Sequence, residues 1–309
     1  MPAPHARSIP DVLDLVVVRG AKSKPNDPPD VLLEVPHGAT KTEDFTLLAA
    51  RLVGTYPERL VEFFHVNTDV GAPEVALRAA TLLIGLDPRR VVVVASSRLP
   101  RTFIDCNRLI DANAAATPSA PGEVTPGLMP WVTDASDRAL LLARYTAYRT
   151  AVSAVTEEVL DRGGVVVQVH SYAPRNVDVA VDQRIVPTLH AAYAPGALER
   201  WTLRPEIDLI AVDPAGRRLA APRLTDELRA GYEAAGHQVA IGNAYTLHPQ
   251  TVAGQLAARH PGRTLCYEIR RDLLVDEFIP FHAMRVAPGK VERHAAILAG
   301  ALDRNGLRA

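Results

Sequence analysis

Two histidines in this chain each stand where a run of strand-forming residues ends. His170 and Ser171 close the run Gly163-Gly164-Val165-Val166-Val167-Gln168-Val169, and His37-Gly38 follows Val31-Leu32-Leu33-Glu34-Val35-Pro36. In open α/β sheets, ligands bind just beyond the carboxyl ends of strands. A histidine there serves as a metal ligand, as a general base, or as a core-edge residue whose ring nitrogens find local partners. Between the two lies Asn67-Thr68-Asp69-Val70-Gly71-Ala72, a turn that carries a carboxylate. Two imidazoles and one carboxylate form a donor set that catalytic zinc takes while keeping a fourth position for water. The spacing is long, and ten histidines allow other triples. Glu34 and Glu74 compete with Asp69 for the third place, and an aspartate in such a turn also bonds its own backbone.

A second carboxylate stands out for its setting. Glu268 is embedded in the strand-like run Thr264-Leu265-Cys266-Tyr267-Glu268-Ile269-Arg270, where an unpaired charge is costly to bury. It is either a general base acting on water at the metal or the partner of Arg270 or Arg271. After the run Val91-Val92-Val93-Val94-Ala95 comes Ser96-Ser97-Arg98-Leu99-Pro100-Arg101, followed by Asp105-Cys106-Asn107-Arg108. Guanidinium forks match carboxylates bidentately, so this density of arginine beside a core strand points to an acidic ligand. Ser171 invites a serine-hydrolase reading, but neighbours on a strand point to opposite faces and do not form a nucleophile–base pair. No G-x-S-x-G elbow, phosphate-binding P-loop or dinucleotide fingerprint occurs.

The elements that must position these residues alternate along the chain. Strands are expected at 15–18, 31–35, 91–95, 165–169, 207–212, 239–241 and 264–270. Helices are expected at 45–52, 73–86, 136–161, 222–235, 251–259 and 290–302. Residues 60–65 fit either element, 172–193 read as irregular, and 112–128 as a long loop or lid. Such alternation predicts an α/β fold, a single domain over 1–309 with a mostly parallel mixed sheet covered by helices on both faces. The formal charge of −1 gives no general affinity for nucleic acid or acidic membranes. No apolar run approaches the roughly 20 residues needed to span a bilayer, no secretory signal is visible, and two distant cysteines fit a reducing compartment. A soluble cytoplasmic protein is expected, its oligomeric state open.

Taken together, Val35-Pro36-His37-Gly38, Asp69-Val70-Gly71-Ala72, Ser97-Arg98, Ile104-Asp105-Cys106-Asn107-Arg108, Val169-His170-Ser171 and Tyr267-Glu268-Ile269-Arg270 resemble the N-formylglutamate amidohydrolase family. That family is similar in turn to the zinc carboxypeptidases and aspartoacylases. The resemblance covers roughly residues 30–280, while 175–219 depart from the family pattern and 242–249 match it in part. It implies a zinc-carboxypeptidase-like fold and a hydrolase that cleaves the amide of an N-formyl or N-acyl amino acid with metal-activated water. Zinc would sit on His37, Asp69 and His170, with Glu268 as general base and Arg98 stabilising the oxyanion. Asn107 and Arg108, with Ser171, would hold a small substrate through its carboxylate. A scaffold that binds without turnover and a carboxypeptidase or deacylase for larger substrates are the other readings.

Overall fold

Valine-rich runs set the architecture, because a strand apolar on both sides is stable only where both faces are covered. The computed structural model of the protein describes residues 7–111 and 117–305. In chain order come β1 (Leu13–Arg19), β2 (Val31–Val35), α1 (Thr42–Ala49), α2 (Leu60–Asn67) and α3 (Ala72–Leu86). Next are β3 (Val91–Ser97), α4 (Ala135–Asp161), β4 (Val165–Tyr172), α5 (Ile185–Tyr193) and β5 (Ile207–Ile210). The chain closes with α6 (Pro222–Ala234), β6 (Val239–Ile241), α7 (Val252–Arg259), β7 (Thr264–Arg270) and α8 (Pro288–Arg304).

Among the described residues the strands form one seven-stranded sheet in the order β1-β3-β2-β4-β7-β5-β6. The four strands β3, β2, β4 and β7 run parallel. β1 pairs antiparallel with β3 at one edge, and β5 pairs antiparallel with β7 and parallel with β6. The expected mixed, mostly parallel sheet is therefore the observed one. Val31, Leu33 and Val35 turn to one face and pack with Val75 of α3, Leu228 of α6 and Leu298 of α8. Leu32 and Val166 turn to the other, against Tyr148 and Val152 of α4. Burial of each such side chain contributes about 1.5–3 kcal/mol.

One segment settles an open reading and another differs from its expectation. Residues 60–65 resolve as helix α2, because burying Leu60, Phe63 and Phe64 together needs the helical period. Part of the span expected to be irregular is helix α5, with Ile185, Val186, Leu189 and Ala192 on its buried side. Pro187 is tolerated there because first-turn N–H groups have no intrahelical acceptor. Residues 112–116 of the expected long loop lie outside the described residues.

Gly164 joins α4 to the middle strand. A Cβ at this position would stand 2.3 Å from the Asp30 carbonyl oxygen and 2.8 Å from that of Val159. Only glycine lets the chain pass here, and this passage carries β4 to the depth at which His170 meets the site. Gly164→Ala is expected to destabilise the fold by about 1–3 kcal/mol, as overpacking does. Urea unfolding should show a lower midpoint at an unchanged m value; an unaltered midpoint would mean that the backbone yields there without strain.

Candidate active site

The carboxyl ends of β2, β4 and β7 lie side by side in the parallel part of the sheet. His37 follows β2 by two residues, and His170 sits near the end of β4. Glu268 on β7 is the register partner of His170, so the two side chains share a face of the sheet. Asp69 arrives from the turn between α2 and α3. Gly71 takes a φ of 90° in that turn, and the Ser171 hydroxyl donates to Val70 O at 2.9 Å, tying the turn to β4.

Three donor atoms converge at the bottom of the resulting cavity. His170 Nδ1 lies 2.9 Å from Asp69 Oδ2, and His37 Nδ1 lies 3.2 Å from both Asp69 Oδ2 and His170 Nδ1. Among the described residues, these three side chains form the group of metal-ligating type, with donor atoms within 4.8 Å of one another. All three are buried. The far nitrogen of His37, Nε2, lies 2.8 Å from Asp105 Oδ1. Asp105 also accepts from the Asn107 backbone N–H at 2.8 Å and from Arg101 Nε at 3.1 Å. Burial alone would raise the Asp105 carboxyl, but His37, Arg108 and Arg101 hold it well below the usual carboxylate range. An anionic Asp105 keeps the proton on His37 Nε2, so the neutral ring turns the Nδ1 lone pair toward Asp69 and His170. This carboxylate–imidazole arrangement orients histidine ligands at metal centres.

The electrostatics agree. Burial would raise Asp69, yet His37 and His170 hold it below the ordinary range as an anion. Burial lowers His37, but Asp105 and Asp69 outweigh it and the net shift is upward. Positive charge is therefore favoured where the three donors meet. His170 Nε2 and Glu268 Oε2 are buried without a hydrogen-bond partner. Such atoms cost about 1–3 kcal/mol each unless something completes them. The donor set of two imidazoles and a carboxylate fits a divalent cation of borderline softness.

Glu268 is not neutralised by its neighbours in sequence. Arg270 binds Asp272 at 2.8 Å, and Arg271 donates to the Val66 carbonyl at 2.9 Å. Burial pushes the Glu268 carboxyl up to about 7, with His170 opposing the rise and Asp69 adding to it. Glu34 and Glu74, the rival third ligands, stay out of the cavity. Glu34 accepts from Tyr148 Oη at 2.9 Å and from Gln168 Nε2 at 2.7 Å on the α4 side of the sheet. Glu74 lies in the first turn of α3.

The cavity has a volume of about 540 Å³, the size of a small-molecule site. Asn107, Arg108 and Ser171 border it. Asn107 Oδ1 accepts from the Ala253 N–H at 3.1 Å, so what it offers a ligand is its amide NH₂. Arg108 Nε and Nη2 donate to Thr125, whose segment 122–125 forms part of the wall. Arg98 does not reach the cavity. Its guanidinium binds Asp44 of α1 at 2.8 Å and Asp14 of β1 at 3.0 Å, because its backbone N–H still bonds Val12 O and aims it sideways along the sheet. Arg101, three residues on, borders the cavity in its stead. Residue type alone gives neither Arg101 its place at the cavity nor Asp105 its contact with His37, although both lie in the same arginine-rich run.

Residues 30–275 match the model of a family described as N-formylglutamate amidohydrolase. The fold is similar to that of an N-formylglutamate amidohydrolase from Ralstonia eutropha JMP134, with a TM-score of 0.56 at 16% identity over 94% of this chain and 97% of that one. It is also similar to a gene product of Agrobacterium tumefaciens, with a TM-score of 0.52 at 20% identity over 94% of each chain. A metallo-carboxypeptidase from Burkholderia cenocepacia overlaps more loosely, with a TM-score of 0.39 at 11% identity over 97% of this chain and 66% of that one. No curated protein matches the chain.

If the three donors hold a metal ion, His170→Ala should leave purified protein with well under one equivalent by elemental analysis. Asp105→Asn keeps the shape and removes the anion behind His37. Competition with a chelator should then show metal affinity reduced by roughly 10–100-fold, the usual effect of losing such a partner. Full metal content in the His170 variant would remove His170 from the ligand set.

Proposed function

The chain belongs to the N-formylglutamate amidohydrolase family, and on that premise we propose that it hydrolyses the amide of an N-formyl or N-acyl amino acid with one zinc ion on His37, Asp69 and His170. The observation that carries this reading is the position of Glu268, across from His170 in register with a buried, unpartnered oxygen beside the three converging donors. Zinc, when bound, supplies Lewis acidity that acidifies water and polarises a scissile carbonyl.

The chain's own groups do the rest. Glu268 takes the proton of the attacking water and passes it to the leaving amine nitrogen, a task open to a carboxyl that burial raises and a nearby cation would lower. Arg101 is anchored through Nε to Asp105, and the rest of its fork offers donors to the carbonyl oxygen as charge develops there. This assigns to Arg101 the part expected of Arg98. The amide of Asn107 and the guanidinium of Arg108 hold the free carboxylate of the amino acid. A scaffold kept for binding alone has no use for an unpaired Glu268 beside two histidines, which favours turnover. No helix among the described residues is long and apolar enough to cross a membrane, and both cysteines are free and buried. A small substrate handled in the cytoplasm is the setting this supports.

The test is hydrolysis of N-formyl and N-acetyl amino acids by zinc-loaded protein, N-formyl-L-glutamate included. Glu268→Gln should keep its zinc while turnover falls by roughly 10²–10⁴-fold, the contribution of a positioned acid or base. Near-normal turnover would assign Glu268 a structural part, and loss of zinc would make it a ligand.

A further inference from the structure

Hydrolysis of the amide uses the floor of the cavity and the Asn107-Arg108 side, and it leaves one wall without a task. That wall is apolar. Phe63 and Val66 come from α2, Ile185 and Leu189 from α5, and Val177 and Val179 from the segment joining β4 to α5. All six belong to one hydrophobic cluster or pack against it. Along the joining segment, Asn176 and Asp178 are exposed, whereas Val177 and Val179 are half-buried, the alternation of an extended chain. The segment is held in place by Asn176 N–H donating to Thr202 O at 2.9 Å and Val181 N–H donating to Ser119 O at 3.0 Å. The Phe63 ring stands edge-on to Trp131, with centroids 5.6 Å apart.

The cationic groups of the cavity come from other elements. Asn107 is tied to Ala253 of α7 and Arg108 to Thr125, while Arg204 packs between the rings of Tyr172 and Tyr245, 5.0 and 5.4 Å from their centroids. The apolar wall begins close to the donor cluster, because Val66 precedes Asp69 by three residues and borders the same cavity. A formyl group has only hydrogen beyond its carbonyl carbon, so it has nothing to lay against such a wall. The cavity, at about 540 Å³, has room for a larger ligand.

We propose that the α2–α5 wall is an acyl subsite, and that the preferred substrates carry an aliphatic acyl chain of several carbons on the amide nitrogen. The inference rests on the hydrolase reading of the same cavity and narrows it from formyl or acyl to long acyl. With the carboxylate on Asn107 and Arg108 and the carbonyl at the three donors, the chain must leave by a wall other than the clamp's. Branched aliphatic side chains on α5 and the joining segment give it dry contact along its length. Water is the co-reactant: the acyl C–N bond breaks, the hydroxyl stays on the acyl carbon, and the products are a fatty acid and a free amino acid.

The experiment measures kcat/KM of the zinc-loaded protein on formyl, acetyl, butanoyl, hexanoyl and octanoyl derivatives of L-glutamate. The series is repeated on L-alanine, so that the result does not hang on the amino-acid side chain. Binding of the same compounds is followed by calorimetry on Glu268→Gln protein, in which turnover is slowed. Each CH₂ seated on the wall should improve kcat/KM by up to about fourfold, mainly through KM, and hexanoyl should exceed formyl by more than about 10-fold. Val179→Phe fills the wall and should cost the hexanoyl substrate roughly 10-fold or more and the formyl one far less. Val179→Ala widens it and should move the best chain length upward. A wild type that takes formyl as well as hexanoyl, in turnover and in binding, would overturn the proposal. So would equal losses on both substrates in Val179→Phe, which would make the wall structural. Chain-length-dependent binding that Val179→Phe removes, without hydrolysis of any amide tested, would sustain the subsite and sink the hydrolase reading.

Discussion

Asp105 is buried and anionic, and the arrangement of the cavity floor follows from how that charge is satisfied. Three donors meet it: His37 Nε2, the Asn107 N–H and Arg101 Nε. Each fixes something different. The imidazole contact sets the tautomer that turns Nδ1 toward Asp69 and His170. The backbone contact shapes the turn that delivers Asn107 and Arg108 to the wall. The Arg101 contact holds a guanidinium where Arg98, bound to Asp14 and Asp44, cannot go. One carboxylate thus aligns the donor cluster, the Asn107-Arg108 turn and the guanidinium at the cavity, which is how a buried charge gives specificity without contributing much stability.

A second constraint is the parallel register of β4 and β7. It puts His170 and Glu268 on one face at the same height, so an imidazole and a carboxylate are neighbours without sharing a hydrogen bond. Asp69 adds a second negative group nearby and raises Glu268 further. Two carboxylates in one buried pocket come to differ in charge: Asp69 is held anionic by the two imidazoles, whereas Glu268 stands near neutrality. Such splitting separates a ligand from a base. A cation at the three donors would pull Glu268 back toward its ionised form.

Much of this was legible in the residues. Valine runs bounded by glycine and proline located the central strands, and histidines at their carboxyl ends marked where they open. The edges were harder. β5 runs antiparallel to β7, and no local pattern distinguishes an antiparallel joining strand from a parallel one. Helix α5 was hidden because its start lies among charged, turn-forming residues and contains a proline, although its apolar spacing is helical. Within the arginine run, residue type alone could not separate Arg98 from Arg101. Which one faces the cavity depends on how far the β1–β3 ladder continues past Ser97, a property of tertiary pairing. Arg204 has no local signature at all, since its two aromatic neighbours are 32 and 41 residues away in sequence.

The site therefore divides into a rigid part and a replaceable part. His37, His170 and Glu268 sit at the ends of strands in the parallel part of the sheet, where both faces are packed and a shift of one residue would reverse every side chain. Chemistry that needs donors aligned to fractions of an ångström belongs on such a frame. Arg101, Arg108 and Arg204, which border the cavity, lie on the connections after β3 and after α5, and loops tolerate change that strands do not. A chain can keep its strand-borne donors in place and alter the cavity wall by rebuilding such connections.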